Sequence, residues 1–204
     1  MTCIVGLKDK DGNIYIGGDS CASDPVGMQT RSDVKVFKIE GYGQVAIIGF
    51  CSSFRMGQVL RYKLKLPKRK KNENIYEWMC TKFIEAVKKV LNHEGLLTVD
   101  DEGVDSFAGP FLVAYEERLF KIDTDFQVAE HRRPYDAAGV GESYAYASLY
   151  TTDEHIIEGI NPITRIIIAL KAATEFSPYV RPPYIIGVLK DRKYYEEIFF
   201  EEEK

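Results

Sequence analysis

Thr2-Cys3-Ile4-Val5-Gly6-Leu7-Lys8-Asp9-Lys10-Asp11-Gly12-Asn13-Ile14-Tyr15-Ile16-Gly17-Gly18 reads as two apolar runs joined by a charged turn. Asp-Gly between two such runs is a strong hairpin signal. Outward from it, a loop is expected around Asp24-Pro25-Val26-Gly27. Val34-Lys35-Val36-Phe37-Lys38-Ile39 then alternates apolar and charged residues, as a half-buried strand does. Glu40-Gly41-Tyr42-Gly43 turns the chain, and Gln44 to Phe50 is an apolar strand. The first fifty residues are thus expected to be strands.

Helices follow. Ser53 is a candidate N-cap, and Phe54, Met56, Val59, Leu60 and Leu64 recur at helical spacing. Leu66 to Asn74, with Pro67, reads as a loop. Ile75, Trp78, Met79, Phe83, Val87, Val90 and Leu91 form one helical stripe. Thr98 to Pro110 is acidic and Gly-containing, a loop. Strands return at Phe111 to Tyr115, Leu119 to Ile122 and Phe126 to Glu130. A helix from about Glu142 to Thr151 comes next. Asn161-Pro162 sets an N-cap ahead of proline at the first helical position, so Ile163 to Phe176 is a helix. Tyr184 to Leu189 and Tyr194 to Phe200 are the last strands. Two antiparallel sheets between two helix layers would bury all these faces. The expectation is an α+β, four-layer αββα sandwich in a single domain spanning residues 1–204.

Composition narrows the function. The 204 residues carry 27 Lys+Arg against 31 Asp+Glu, a formal charge of −4. A mildly acidic chain disfavours nucleic acid as a partner. Ile166-Ile167-Ile168-Ala169-Leu170 is far short of the roughly 20 apolar residues that span a bilayer. Lys8, Asp9 and Lys10 interrupt any secretory signal, so a cytoplasmic location and no membrane partner are expected. Cys3, Cys21, Cys51 and Cys80 are scattered, as are His93, His131 and His155, so neither disulfides nor a metal is expected. No cofactor is called for.

The candidate chemistry lies in the first fifty residues. A small residue after Met1 favours removal of the methionine, which would leave Thr2 with a hydroxyl nucleophile and a free α-amine. Such an amine has a pKa of about 7.7–8.0. It can take the hydroxyl proton directly or through water, with no need of a histidine. Asp19 follows the second strand, Lys35 lies sixteen residues on, and Gly49 fourteen further. Each has a plainer reading: a second codon, a turn aspartate, a solvated strand lysine, a bulge glycine. Taken together, Thr2-Cys3-Ile4-Val5-Gly6, Gly17-Gly18-Asp19, Val34-Lys35-Val36-Phe37-Lys38-Ile39 and Ile48-Gly49-Phe50 resemble the N-terminal threonine peptidases of the proteasome β-subunit and HslV type, within the Ntn-hydrolase superfamily. Gly139-Val140-Gly141 before a helix is a looser match. The resemblance covers most of the chain, with residues 65–110 longer than in the short bacterial members.

The resemblance implies the Ntn-hydrolase sandwich and a threonine endopeptidase of a self-compartmentalising homo-oligomeric ring, with polypeptide as substrate. An ATPase unfoldase as a further partner is left open. Catalytic roles implied are Thr2 as nucleophile, Asp19 holding Lys35, Lys35 as the cation beside the hydroxyl, and Gly49 donating its N–H to the oxyanion. Ala22, Asp33, Phe37, Ile47 and Cys51 would surround the first specificity pocket. Departures are visible too. Val140 stands where many active members carry a supporting serine, Glu175 and Ser177 have no clear alignment to the supporting acid and serine, and Cys51-Ser52-Ser53 lies where an acid is common. An inactive assembly protein of the same fold and a small-amide amidohydrolase therefore stay open. Cys3 is a second candidate nucleophile, with a buried strand cysteine as its default reading. Two charge clusters, six bases over residues 63–71 and six acids over residues 191–204, would suit contacts between copies.

Overall fold

The computed structural model describes residues 2–23, 27–99, 101, 103–153 and 155–199. Met1, Asp24, Pro25 and Val26 of the expected loop, Phe200 at the end of the last expected strand, and the acids Glu201, Glu202 and Glu203 lie outside the described residues. The opening hairpin forms as expected, with β1 (Cys3–Lys8) antiparallel to β2 (Ile14–Gly18). One five-stranded sheet sets β12 (Tyr135–Gly139), β1, β2, β13 (Tyr184–Lys190) and β14 (Lys193–Phe199) side by side. The second orders β11 (Val128–Ala129), β10 (Arg118–Ile122), β9 (Phe111–Tyr115), β6 (Gln44–Phe50) and β5 (Val36–Gly41). All pairings within these two sheets are antiparallel.

Three apolar clusters define the layers. Cys3, Val5 and Leu7 point from β1 onto Ala145 and Leu149 of α4 (Glu142–Thr151) and Ile166, Ala169 and Leu170 of α5 (Pro162–Phe176). Ile4, between them, points the other way and meets Ile16, Val36, Ile47 and Leu112 in the space between the sheets. Beyond the second sheet, Ile48, Phe50, Val113 and Phe120 pack on α1 (Phe54–Tyr62), α2 (Ile75–Trp78) and α3 (Ile84–His93) through Met56, Leu60, Trp78 and Val87. The molecule is a four-layer αββα sandwich. Because β1 is buried on both faces, it reads as a continuous apolar run rather than an alternation.

Local signals set the helix starts. Ser53 Oγ accepts the Met56 N–H at 3.2 Å, and Asn161 Oδ1 accepts that of Thr164 at 2.9 Å ahead of Pro162. The stripe from Ile75 to Leu91 is not one uninterrupted α-helix. Met79–Phe83 forms a wide π turn between α2 and α3. The extra residue in that turn keeps Trp78, Met79 and Phe83 all buried. The expected loop around residues 24–27 is flanked by a small hairpin of β3 (Cys21–Ser23) and β4 (Met28–Thr30). Two further short strands, β7 (Thr98–Val99) and β8 (Asp105–Ser106), pair within the expected 98–110 loop. The strand expected at Phe126 to Glu130 shortens to β11. Lys35 lies one residue ahead of β5, not within it.

Candidate active site

Thr2 stands one residue before the β1–β12 ladder, whose first pair is Cys3 with Gly139. It is buried. Its carbonyl accepts the Gly141 N–H at 3.4 Å. Gly139 has φ +96°, and a Cβ there would stand 2.3 Å from the Thr2 carbonyl oxygen, so glycine is required on both counts. The Gly139-Val140-Gly141 turn thus packs directly on Thr2. Cys51 borders the same turn, its Cβ 3.3 Å from where a Gly139 Cβ would sit.

Asp19 follows β2 at the same end of the sheet and is 1% exposed. Its Oδ1 accepts the Cys3 N–H at 3.0 Å and a Lys35 Nζ proton at 2.9 Å. Its Oδ2 accepts the N–H of Cys21 at 2.9 Å and of Arg181 at 3.4 Å. Lys35, also 1% exposed, donates a second bond to the Cys21 carbonyl at 2.6 Å. A buried charge this well paired satisfies the desolvation argument against burying it. The Lys35 ammonium and the amide nitrogen that follows Thr2 therefore share one carboxylate oxygen. An ammonium has three donors, and Asp19 and Cys21 engage two of them.

Gly49 pairs with Val36 on β5 and Leu112 on β9. A Cβ there would approach Ile16 at 2.6 Å and Ile4 at 2.7 Å, so the close approach of the two sheets alone demands glycine. The five pocket candidates do not converge. Phe37 faces the outer helices, 6.1 Å from the Phe50 ring, while Ile47 faces the space between the sheets. Cys51 is buried beside Thr2. Ala22, on β3, and Asp33 are partly exposed. Arg31 grips Asp33, its Nη2 at 2.8 Å from Oδ2, and that bond holds the carboxyl below its usual range. The Arg31 guanidinium lies 4.4 Å from the Phe54 ring centroid, with Lys35 Nζ 5.7 Å from the same ring. Nothing in the sequence pattern marks Arg31, Phe54 or Arg181 as a site residue. Arg31 and Phe54 sit where the residue types alone signal a loop and a helix start.

Cys3 is fully buried against α4 and α5. Burial, reinforced by Asp19, holds its thiol far above the usual range, which withholds the thiolate that a nucleophile requires. Burial pushes the Cys51 thiol up to about 11. Among the described residues no group of three or more His, Cys, Asp or Glu side chains is placed to hold a metal ion, and no helix is long and apolar enough to cross a membrane.

No protein-family model matches the chain, and no curated protein matches it. Its fold is similar to that of several solved structures. BPH from Thiobacillus denitrificans superposes with a TM-score of 0.73 at 18% identity, over 93% of this chain and 98% of that one. The same protein in complex with epoxomicin gives 0.72 at 18%, over 92% and 98%. Eukaryotic HslV from Trypanosoma brucei gives 0.63 at 18%, over 91% and 98%. The Anbu complex of Pseudomonas aeruginosa, a helical assembly, gives 0.65 at 13%, over 98% and 88%. The fold shared with these proteins is the sandwich expected of the Ntn-hydrolase resemblance.

Proposed function

We propose that the chain is an N-terminal nucleophile hydrolase, a threonine endopeptidase of proteasome-like kind, with Thr2 as its nucleophile once Met1 is removed. The observation that carries this reading is the buried Asp19–Lys35 pair, bonded at Oδ1 to the amide that follows Thr2. The pair holds a cation one residue from Thr2, where the nucleophile reading needs one.

On this reading Thr2 Oγ attacks the peptide carbonyl carbon and its proton passes to the Thr2 α-amine. The carbonyl oxygen takes up the electron pair, and a fixed main-chain donor on it contributes about 2.7–4 kcal/mol to the transition state. The Gly49 N–H, the donor the resemblance implies, is turned into the sheet: Cys51 donates to the Pro110 carbonyl, so by the alternation of β6 the Gly49 N–H faces Leu112 on β9. The C–N bond then breaks, the leaving amine takes the proton from the α-amine, and an ester remains on Thr2. Water, deprotonated by the same amine, releases the acid. The positive charge of Lys35 keeps the terminal amine unprotonated and ready to act as base.

Polypeptide is the proposed substrate, and a homo-oligomeric ring in the cytoplasm the proposed working form. The Anbu complex among the structural neighbours, a helical assembly, supports a multi-copy form. An inactive assembly protein is the second reading. It is favoured by Val140, which carries no hydroxyl and is exposed beside Thr2. The N-terminal mass of the protein isolated from cells separates the two. A chain beginning at Thr2 that cleaves an unfolded polypeptide bears out the peptidase, whereas retained Met1 contradicts it. Cleavage of small amides alone would point to an amidohydrolase.

A further inference from the structure

Asp19 receives one of its four bonds from a residue 162 positions away. That residue, Arg181, is held in an unusual way. Helix α5 ends at Phe176 with no basic residue in its last turn, and Ser177 leaves it in an extended conformation. The carbonyls of a last helical turn have no partner within the helix and favour a cation. Here the cation comes back from downstream. Arg181 Nη1 donates to the carbonyls of Thr174 at 3.0 Å, Ser177 at 2.9 Å and Val180 at 2.7 Å. Three main-chain oxygens spaced three residues apart thus surround a single guanidinium nitrogen.

The backbone of the same residue faces the candidate site. Its N–H reaches Asp19 Oδ2 at 3.4 Å, and its carbonyl accepts the Ser20 N–H at 3.0 Å. Ser20 Oγ donates to the Pro183 carbonyl at 2.7 Å. The side chain fixes the turn after α5, and the main chain of that turn completes the shell around Asp19.

We propose that Arg181 is a positioning residue for the Asp19–Lys35 pair, its guanidinium locking the end of α5 so that its own N–H holds the Asp19 carboxylate in place. The role of that pair in activity rests on Thr2 being the nucleophile. Without the guanidinium, the Thr174 and Val180 carbonyls lose this donor and Ser177 keeps only the long Val180 N–H bond at 3.5 Å, so the turn must open. Oδ2 then loses a bond, the carboxylate rotates, and Lys35 moves with it through Oδ1.

The test uses the chain lacking Met1 in wild-type, Arg181→Ala and Arg181→Lys forms. Epoxomicin labelling is followed by intact mass, and hydrogen exchange is read at the Cys3 and Cys21 amides, both of which donate to Asp19. The labelling rate at saturation is expected to fall by about a hundredfold in Arg181→Ala, the cost of misplacing a catalytic group by about 1 Å. The concentration for half-saturation should hold. Exchange at Cys3 and Cys21 should quicken. Because one nitrogen makes all three bonds, Arg181→Lys should keep most of the rate. Millimolar guanidinium should return part of it to Arg181→Ala. Unchanged exchange at Cys3 and Cys21 in Arg181→Ala would overturn the proposal, as would a rate loss that follows only the unfolded fraction in near-UV circular dichroism. A wild-type chain that takes no label contradicts the nucleophile reading instead, and the exchange measurement still decides the positioning role.

Discussion

Four donors, three main-chain amides and one ammonium, meet on the two oxygens of Asp19. At that saturation the carboxylate is both a structural and a chemical centre. Breaking a buried pair leaves an uncompensated charge, at about 3–5 kcal/mol. Asp19→Asn and Lys35→Met should each cost that much in unfolding free energy measured by denaturant titration, and the double variant less than the two together. Additive losses would mean the two charges do not interact. A second prediction concerns alkali. The Cys51 thiol, at about 11 in the fold against an ordinary 9.0, keeps its proton where the unfolded chain releases it. The folded state therefore binds more protons above pH 9, and stability falls as pH rises from 9 to 11. Cys3 acts in the same direction. Cys51→Ala should flatten part of the fall in Tm over that window, and an unchanged slope would contradict it.

Among the elements, glycines set the distances between layers. Gly17 lets α5 close on β2: a Cβ there would lie 2.4 Å from Ile166 Cγ2. Gly49 does the same between the sheets. Overpacking of this kind costs about 1–3 kcal/mol, so Gly17→Ala and Gly49→Ala should both lower Tm. The same elements mark what the sequence discloses. Asn161-Pro162 located α5 and the Asp11-Gly12 turn located the opening hairpin, because caps and turns are written in residue types. The π turn at Met79–Phe83 was hidden, since one added residue preserves an apolar stripe while changing its pitch. Lys35 shows the opposite limit. Alternation alone reads as a solvated lysine, and the pairing with Asp19 is implied only by the resemblance of the two segments to the threonine peptidases. Arg181 left no sequence trace, because it reaches Asp19 through a main-chain N–H that nearly every residue has.

For the whole molecule, residues flanking the two sheets meet around Thr2: Asp19 and Gly139 from the first, and Lys35 and Cys51 from the second, Lys35 joined to the amide after Thr2 through Asp19 Oδ1. The charge clusters are partly used within the chain. Lys63 pairs with Glu94, and Arg69 with Glu116 at 2.6 Å. Lys65, Lys68, Lys70 and Lys71 stay exposed, as do Glu196 and Glu197 on the edge strand β14. If copies assemble through these faces, replacing Lys68, Lys70 and Lys71 by Glu should lower the mass seen in light scattering, and an unchanged mass would exclude that contact. The central claim is that Thr2 carries the chemistry, and covalent labelling reads it most directly. Epoxomicin, which BPH binds, should add once to the chain lacking Met1. Peptide mapping should place the adduct on Thr2, and Thr2→Ala and Lys35→Ala should abolish it. A mature chain that takes no label, or takes it elsewhere with Thr2→Ala labelled equally, would contradict the account.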